Sequence, residues 1–118
     1  MGYYFEPTAI KITDPKSPVL DIETFGPVAF IIPFKTNEEV LKWANDTDAG
    51  LASYVYSENK ETQAYFANGL AFGEVQVNGV KYDIYLPHGG IKNSGIGVDC
   101  SEFALEDYLI KKRVTVQL

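Results

Sequence analysis

The chain's single histidine, His88, and Lys92 stand in the run "LPHGGIKNSGIG", Leu86 to Gly97, with Gly89, Gly90, Gly95 and Gly97 around them. Glycines beside a cation suggest a phosphate cradle, and two such cradles have spacings that can be checked. A P-loop needs Gly, four residues, then Gly-Lys-Ser/Thr, because the lysine meets the terminal phosphates and the hydroxyl meets magnesium. Gly90 and Gly95 have that spacing, but Ile96 and Gly97 stand where the lysine and hydroxyl belong. The dinucleotide fingerprint needs Gly-x-Gly-x-x-Gly between a strand and a helix, so that backbone amides can approach a pyrophosphate. Counted from Gly95, its third glycine falls on Cys100, and the residues before it read as loop. A tight loop carrying one imidazole remains.

Nucleophilic catalysis has one candidate pair. Cys100 and His88 are the only thiol and imidazole, and such a pair can make a thiolate nucleophile. No oxyanion partner accompanies them, so Cys100 reads as a small packed residue at a helix start with ordinary thiol reactivity. One Cys and one His do not make a zinc site without carboxylates in the right places. Most carboxylates fall on helix faces (Glu38, Glu39, Glu61, Glu106, Asp107) and read as solvated charges. Glu23 differs, because "ETFGPV" lies between a Pro-rich loop and a buried strand. A carboxylate there can accept two hydrogen bonds from a sugar diol, or cap its own loop.

The elements that would position these residues alternate. "YYFEPTAIKI" is strand-like and interrupted by Pro7, "DPKSPVLDIETFGP" is an ordered loop, and "VAFIIPFK" is a buried strand. "TNEEVLKWAND" is a helix with Thr36 and Glu39 at capping-box spacing and a stripe of Val40, Leu41 and Ala44. "LASYVYS" is a second buried strand, and "NKETQAYFANGL" a second helix with Ala64, Ala67 and Leu70 on one face. "GEVQVNG" is a third strand, followed by the glycine loop. Asp99 and Glu102 have N-cap and N3 spacing for a last helix, "SEFALEDYLI", and "RVTVQL" closes the chain as a strand. The order β-α-β-α-β predicts an α/β fold with a parallel sheet.

The 118 residues make one domain by size, and 46% apolar with 22% charged content is that of a folded protein. No apolar run reaches the ~20 residues of a membrane span, and the start lacks a signal-peptide pattern, so no membrane partner and a cytoplasmic location are expected. A net charge of −6 argues against a nucleic-acid partner. The one basic cluster, Lys111 to Arg113, reads as a complement to a helix C-terminus rather than an anion site.

Taken in order, "GYYFEPTAI", "ETFGPV", "FKTNEEVLKWANDTDAGLASYVYS", "GEVQVNG", "PHGGIKNSGIG" and "FALEDYLIKKRVTVQL" resemble the C-terminal part of an NAD(P)-dependent aldehyde dehydrogenase, from Gly2 to Leu118. The "PHGG" spelling with "SEFALEDY" is similar to members acting on amino- and related aliphatic aldehydes, the aminobutyraldehyde and betaine-aldehyde type. The resemblance implies that residues 1–112 are part of the catalytic domain, a parallel-sheet β-α-β-α-β half, and that residues 113–118 are an oligomerisation strand. Glu23 and Phe25 match the positions that hold the nicotinamide ribose and pack near the nicotinamide of NAD or NADP. His88 matches an aromatic position of the substrate tunnel, and Tyr82 lies in the Val80 to Tyr85 segment that matches its wall. Val98 stands where the family usually has a basic residue, removing the cation of any ion pair made there.

The family's cysteine nucleophile, its water-activating glutamate, its oxyanion asparagine and its dinucleotide-binding fold match nothing in these residues. The resemblance thus implies that the cofactor is bound only with a missing N-terminal portion. The partner would be the remainder of the enzyme chain or a companion subunit, in a homo-oligomer, and the isolated chain would be inactive. A reading from a different class is a non-catalytic module that binds a partner by strand addition through "RVTVQL". A third, a small thiol hydrolase, requires a reactive Cys100.

Overall fold

The computed structural model describes residues 2–118. The chain divides into two compact units, residues 1–47 and 48–118. In the first, β1 (Thr8–Lys11) and β2 (Val28–Ile31) pair in parallel, Thr8 opposite Val28 and Lys11 opposite Ile31. Their connection includes a 3-10 turn at Pro18–Asp21. Helix α1 (Asn37–Asn45) follows, and its capping box forms with one change. Thr36 Oγ1 accepts the Glu39 amide at 3.2 Å, but the Glu39 carboxylate reaches back to the amide of Lys35, at 2.8 Å, one residue before the cap. The stripe of Val40, Leu41 and Ala44 is half-buried, as its spacing predicts, and Trp43 joins it.

In the second unit β3 (Ala52–Val55), α2 (Lys60–Gly69) and β4 (Glu74–Val77) form a β-α-β unit with parallel strands. Asn59 caps α2, its Oδ1 accepting from Thr62 N at 2.9 Å. The buried face of α2 is not the one expected. Phe66 is buried, with Gln63 and Leu70 half-buried beside it, whereas Ala64 and Ala67 are exposed. The aromatic ring carries more apolar area than two methyl groups, and it sets the helix's rotation. Val55 and Phe66 are the only buried apolar side chains among the described residues, each still 9% exposed.

The parallel pairing fits the α/β expectation, but it is divided between two two-stranded sheets instead of running through one. The last helix also differs. Glu102–Tyr108 is a 3-10 helix capped by Ser101, whose Oγ accepts from Phe103 N at 3.3 Å; Asp99 instead accepts from the neighbouring Cys100 amide. Phe103, Leu105 and Tyr108 are exposed, so no packed face rewards the α-helical spacing. Residues 109–118 form no ladder among the described residues, and the strand expected at "RVTVQL" is unpaired with Val114, Val116 and Leu118 exposed.

Candidate functional site

Glu23 and Phe25 lie in the first unit, in a turn that leads into β2 and is closed by Gly26 N to Thr24 O at 3.0 Å. Phe25 is 94% exposed. No hydrogen bond or ion pair among the described residues engages the Glu23 carboxylate, so it does not cap its own loop. Two acceptor oxygens stand free at the entrance to a parallel strand.

The second unit builds a pocket of about 500 Å³ between β4 and the segment that follows it. Strand alternation places Glu74 and Gln76 on one face of β4. Asn78 ends the strand with φ +57° and bridges to β3, its side chain accepting from Ser57 N and donating to Ser57 O, each at 2.8 Å. The chain then turns at Asp83, whose Oδ1 accepts the Tyr85 amide at 3.1 Å and whose Oδ2 pairs with Lys81 at 2.9 Å. The ion pair holds Asp83 below and Lys81 above their usual values.

His88 is returned to the pocket by a short antiparallel bridge to Asp99, with His88 N to Asp99 O at 2.8 Å and Asp99 N to His88 O at 2.7 Å. Its Nδ1 meets the Glu74 carboxylate. Hydrogen bonding from His88 holds Glu74 below the ordinary carboxylate range, with a smaller contribution from Gln76 acting against partial desolvation. Tyr82 packs edge-on to the imidazole with ring centroids 6.2 Å apart. The structure therefore brings Tyr82 and His88 together, as candidates for one wall. Cys100 is not joined to His88. Its Sγ lies 3.1 Å from the Tyr82 hydroxyl, and that contact raises the phenol above its usual value.

The glycine loop is a brace, not a cradle. Gly73 N and Ile91 N both donate to Gly50 O, at 2.9 and 3.0 Å, Asn93 N donates to Asp48 O at 2.9 Å, and Gly50 N donates to Ser94 Oγ at 2.8 Å. An anion site needs amides free, and those of Ile91 and Asn93 within the loop are held by protein oxygens. A Cβ on Gly73 would lie 1.7 Å from the Gly89 carbonyl oxygen, so backbone packs directly on backbone. Gly97, at φ +91°, takes a conformation that side chains disfavour.

Sequence reasoning named His88 and Tyr82 but missed Glu74 and Gln76. The available signal was the i, i+2 pair of polar residues in an otherwise apolar strand. No group of three metal-ligating side chains occurs among the described residues, and no helix there is long and apolar enough to cross a membrane.

The profile of the aldehyde dehydrogenase family matches residues 1–114. Succinate-semialdehyde dehydrogenase (NADP(+)) 2 of Schizosaccharomyces pombe is 37% identical over 117 residues, 98% of this chain and 24% of its own length. Glutarate-semialdehyde dehydrogenase of Pseudomonas putida is 38% identical over 118 residues, 99% of this chain and 25% of its own. Among solved structures, betaine aldehyde dehydrogenase of Staphylococcus aureus in complex with NAD+ superposes with a TM-score of 0.85 at 38% identity, covering 92% of this chain and 22% of that one. A lactaldehyde dehydrogenase gives 0.90 at 34%, covering 99% and 25%. The chain spans about a quarter of the length of the curated relatives it matches.

Proposed function

Because the chain belongs to the aldehyde dehydrogenase family, we propose that it works as the C-terminal segment of an enzyme that oxidises an aldehyde to a carboxylic acid with NAD or NADP. The observation that carries this reading is the likeness in sequence and fold along nearly the whole chain to dehydrogenases of aldehydes. Residues 1–112 supply part of the catalytic domain and residues 113–118 the oligomerisation strand. The nucleophile and most of the cofactor site lie in the remainder of the enzyme, carried on the same chain or on a companion subunit.

Glu23 and Phe25 would hold the nicotinamide end of the cofactor. The free carboxylate fits that role, since a ribose diol offers two donors to an acceptor-only group. When bound, the cofactor supplies the hydride acceptor. Tyr82 and His88 line the aldehyde's path. The substrates in the relatives' names, semialdehydes, betaine aldehyde and lactaldehyde, share a second polar group on a short aliphatic body. A short aliphatic aldehyde that carries a second polar group, as amino-aldehydes do, is the substrate proposed for this enzyme.

The test is reconstitution. The 118-residue chain alone should form no NAD(P)H with any aldehyde, and activity should appear with the remainder of the enzyme. Glu23→Gln in that assembly should slow hydride transfer in a single turnover more than it slows substrate capture. Charge-assisted bonds contribute about 1.5–3 kcal/mol each, so a loss of tenfold or more is expected. Turnover by the isolated chain that disappears in Cys100→Ser would overturn the assignment in favour of thiol chemistry.

A further inference from the structure

The polar groups of the β4 pocket fix one another's protons. The Oε1 of Gln76 accepts the backbone N–H of Lys81 at 2.7 Å, and an amide nitrogen there can only donate. The orientation of the Gln76 side chain follows, and its Nε2 donates to Glu74 Oε2 at 3.2 Å. The other oxygen of Glu74 meets Nδ1 of His88. Glu74 sits below the ordinary carboxylate value of 4.5, chiefly through that bond, so near neutrality it is ionised and acceptor-only. An acceptor-only partner leaves one arrangement. Nδ1 carries the proton, and in the neutral imidazole Nε2 is a bare acceptor. With one oxygen toward Gln76 and the other toward Nδ1, the Glu74 carboxylate orients the ring.

We propose that Nε2 of His88, held in this tautomer by the positioning residue Glu74, is the specificity element of the pocket and selects aldehydes that carry a hydrogen-bond donor, a hydroxyl or an ammonium group, over plain alkyl aldehydes. The proposal rests on the reading of this pocket as the aldehyde's path. Charge points the same way. The charged and titratable groups around His88 are Glu74 in direct contact, Tyr82 at the ring edge with Cys100 behind it, and the Lys81–Asp83 ion pair in the pocket wall, while Asp99 meets His88 through its backbone. Carboxylates outnumber cations, so an aldehyde ending in a carboxylate meets repulsion where a neutral or cationic donor does not. Val77, Val80 and Leu86 supply an apolar lining for the aliphatic spacer. A site built to hydrogen-bond a substituent discriminates against the analogue lacking it, because its own polar group is then left unpaired.

Two measurements test this. His88 is the only histidine, so nitrogen-15 spectra of the 118-residue chain report its tautomer without ambiguity. The neutral ring should be protonated on Nδ1, and Glu74→Gln, whose amide can present either end, should give a mixture. In the assembled enzyme, 4-hydroxybutanal, 4-aminobutanal, pentanal and succinate semialdehyde differ only at the far end. The kcat/KM ratio of either donor-bearing aldehyde to pentanal should fall about tenfold in His88→Phe, mostly through KM, and by a smaller factor in Glu74→Gln. A wild-type ring protonated on Nε2 overturns the proposal. So does a parallel loss for all four aldehydes in His88→Phe, or a wild-type preference for succinate semialdehyde. If wild type itself oxidises none of them, the function reading fails and takes the selectivity with it, an outcome distinct from a defect confined to the variants.

Discussion

Glu74 accepts a proton less readily in the folded chain than in the unfolded one, because His88 and Gln76 donate to its carboxylate only when β4 and the glycine loop are in place. The sign of the linkage follows. A depressed folded-state value contributes stability that is present above the unfolded value, 4.5, and lost as pH falls through the folded one. The His88 side chain is 39% exposed, so the contribution is discounted to about 1 kcal/mol. Urea midpoints of wild type and Glu74→Gln should therefore differ near neutrality and converge as pH is lowered below 4.5. A difference that stays constant with pH would assign the effect to packing alone. His88 was legible in the sequence as the one imidazole in a glycine loop. Its partner was not, since fourteen positions separate them and only the fold closes that distance.

Between β4 and the glycine loop the contact is backbone on backbone, which is why Gly73 precedes Glu74 and Gly89 follows His88. Gly73→Ala would drive a methyl group into the Gly89 carbonyl, forcing the loop off the strand. Overpacking of this kind costs about 1–3 kcal/mol or more, and here it should also separate Glu74 from His88. The expected result is a lowered urea midpoint together with loss of the Nδ1-protonated signal. Gly79→Ala is the control, because nothing lies within 4 Å of its added Cβ, and it should leave both readouts in place. An intact tautomer signal in Gly73→Ala would mean that this packing does not position the pair. Elements governed by a few neighbours were legible in the same way: the Thr36 cap, the strand at "GEVQV" and the parallel β-α-β unit. Features set by tertiary packing were not. The rotation of α2 follows Phe66, and the 3-10 form of Glu102–Tyr108 follows from the lack of anything covering its apolar side chains.

The described chain exposes 10203 Å². Surface-to-mass scaling gives about 6,400 Å² for one compact body of this mass and about 7,700 Å² for two separate bodies of the sizes of its units. The surplus of roughly 2,500 Å² exceeds the ~800 Å² that one partner contributes to a standard interface. Much of it is apolar: Tyr3, Tyr4, Phe25, Ile110, Val116 and Leu118 are each more than 75% exposed. Monomers rarely leave so much apolar surface to water, so the chain alone should associate with itself, and the segment Val114 to Leu118 is the strongest template. It has β-branched residues, two-residue alternation, no proline and no partner strand among the described residues. Sedimentation should find the intact chain associated at micromolar concentration, most simply as a symmetric dimer, and deletion of Val114 to Leu118 should move it toward monomer with the β3-α2-β4 unit still folded. An intact chain that stays monomeric at high micromolar concentration would mean that the tail folds back on its own unit, and would remove the argument for residues 113–118 as an oligomerisation strand.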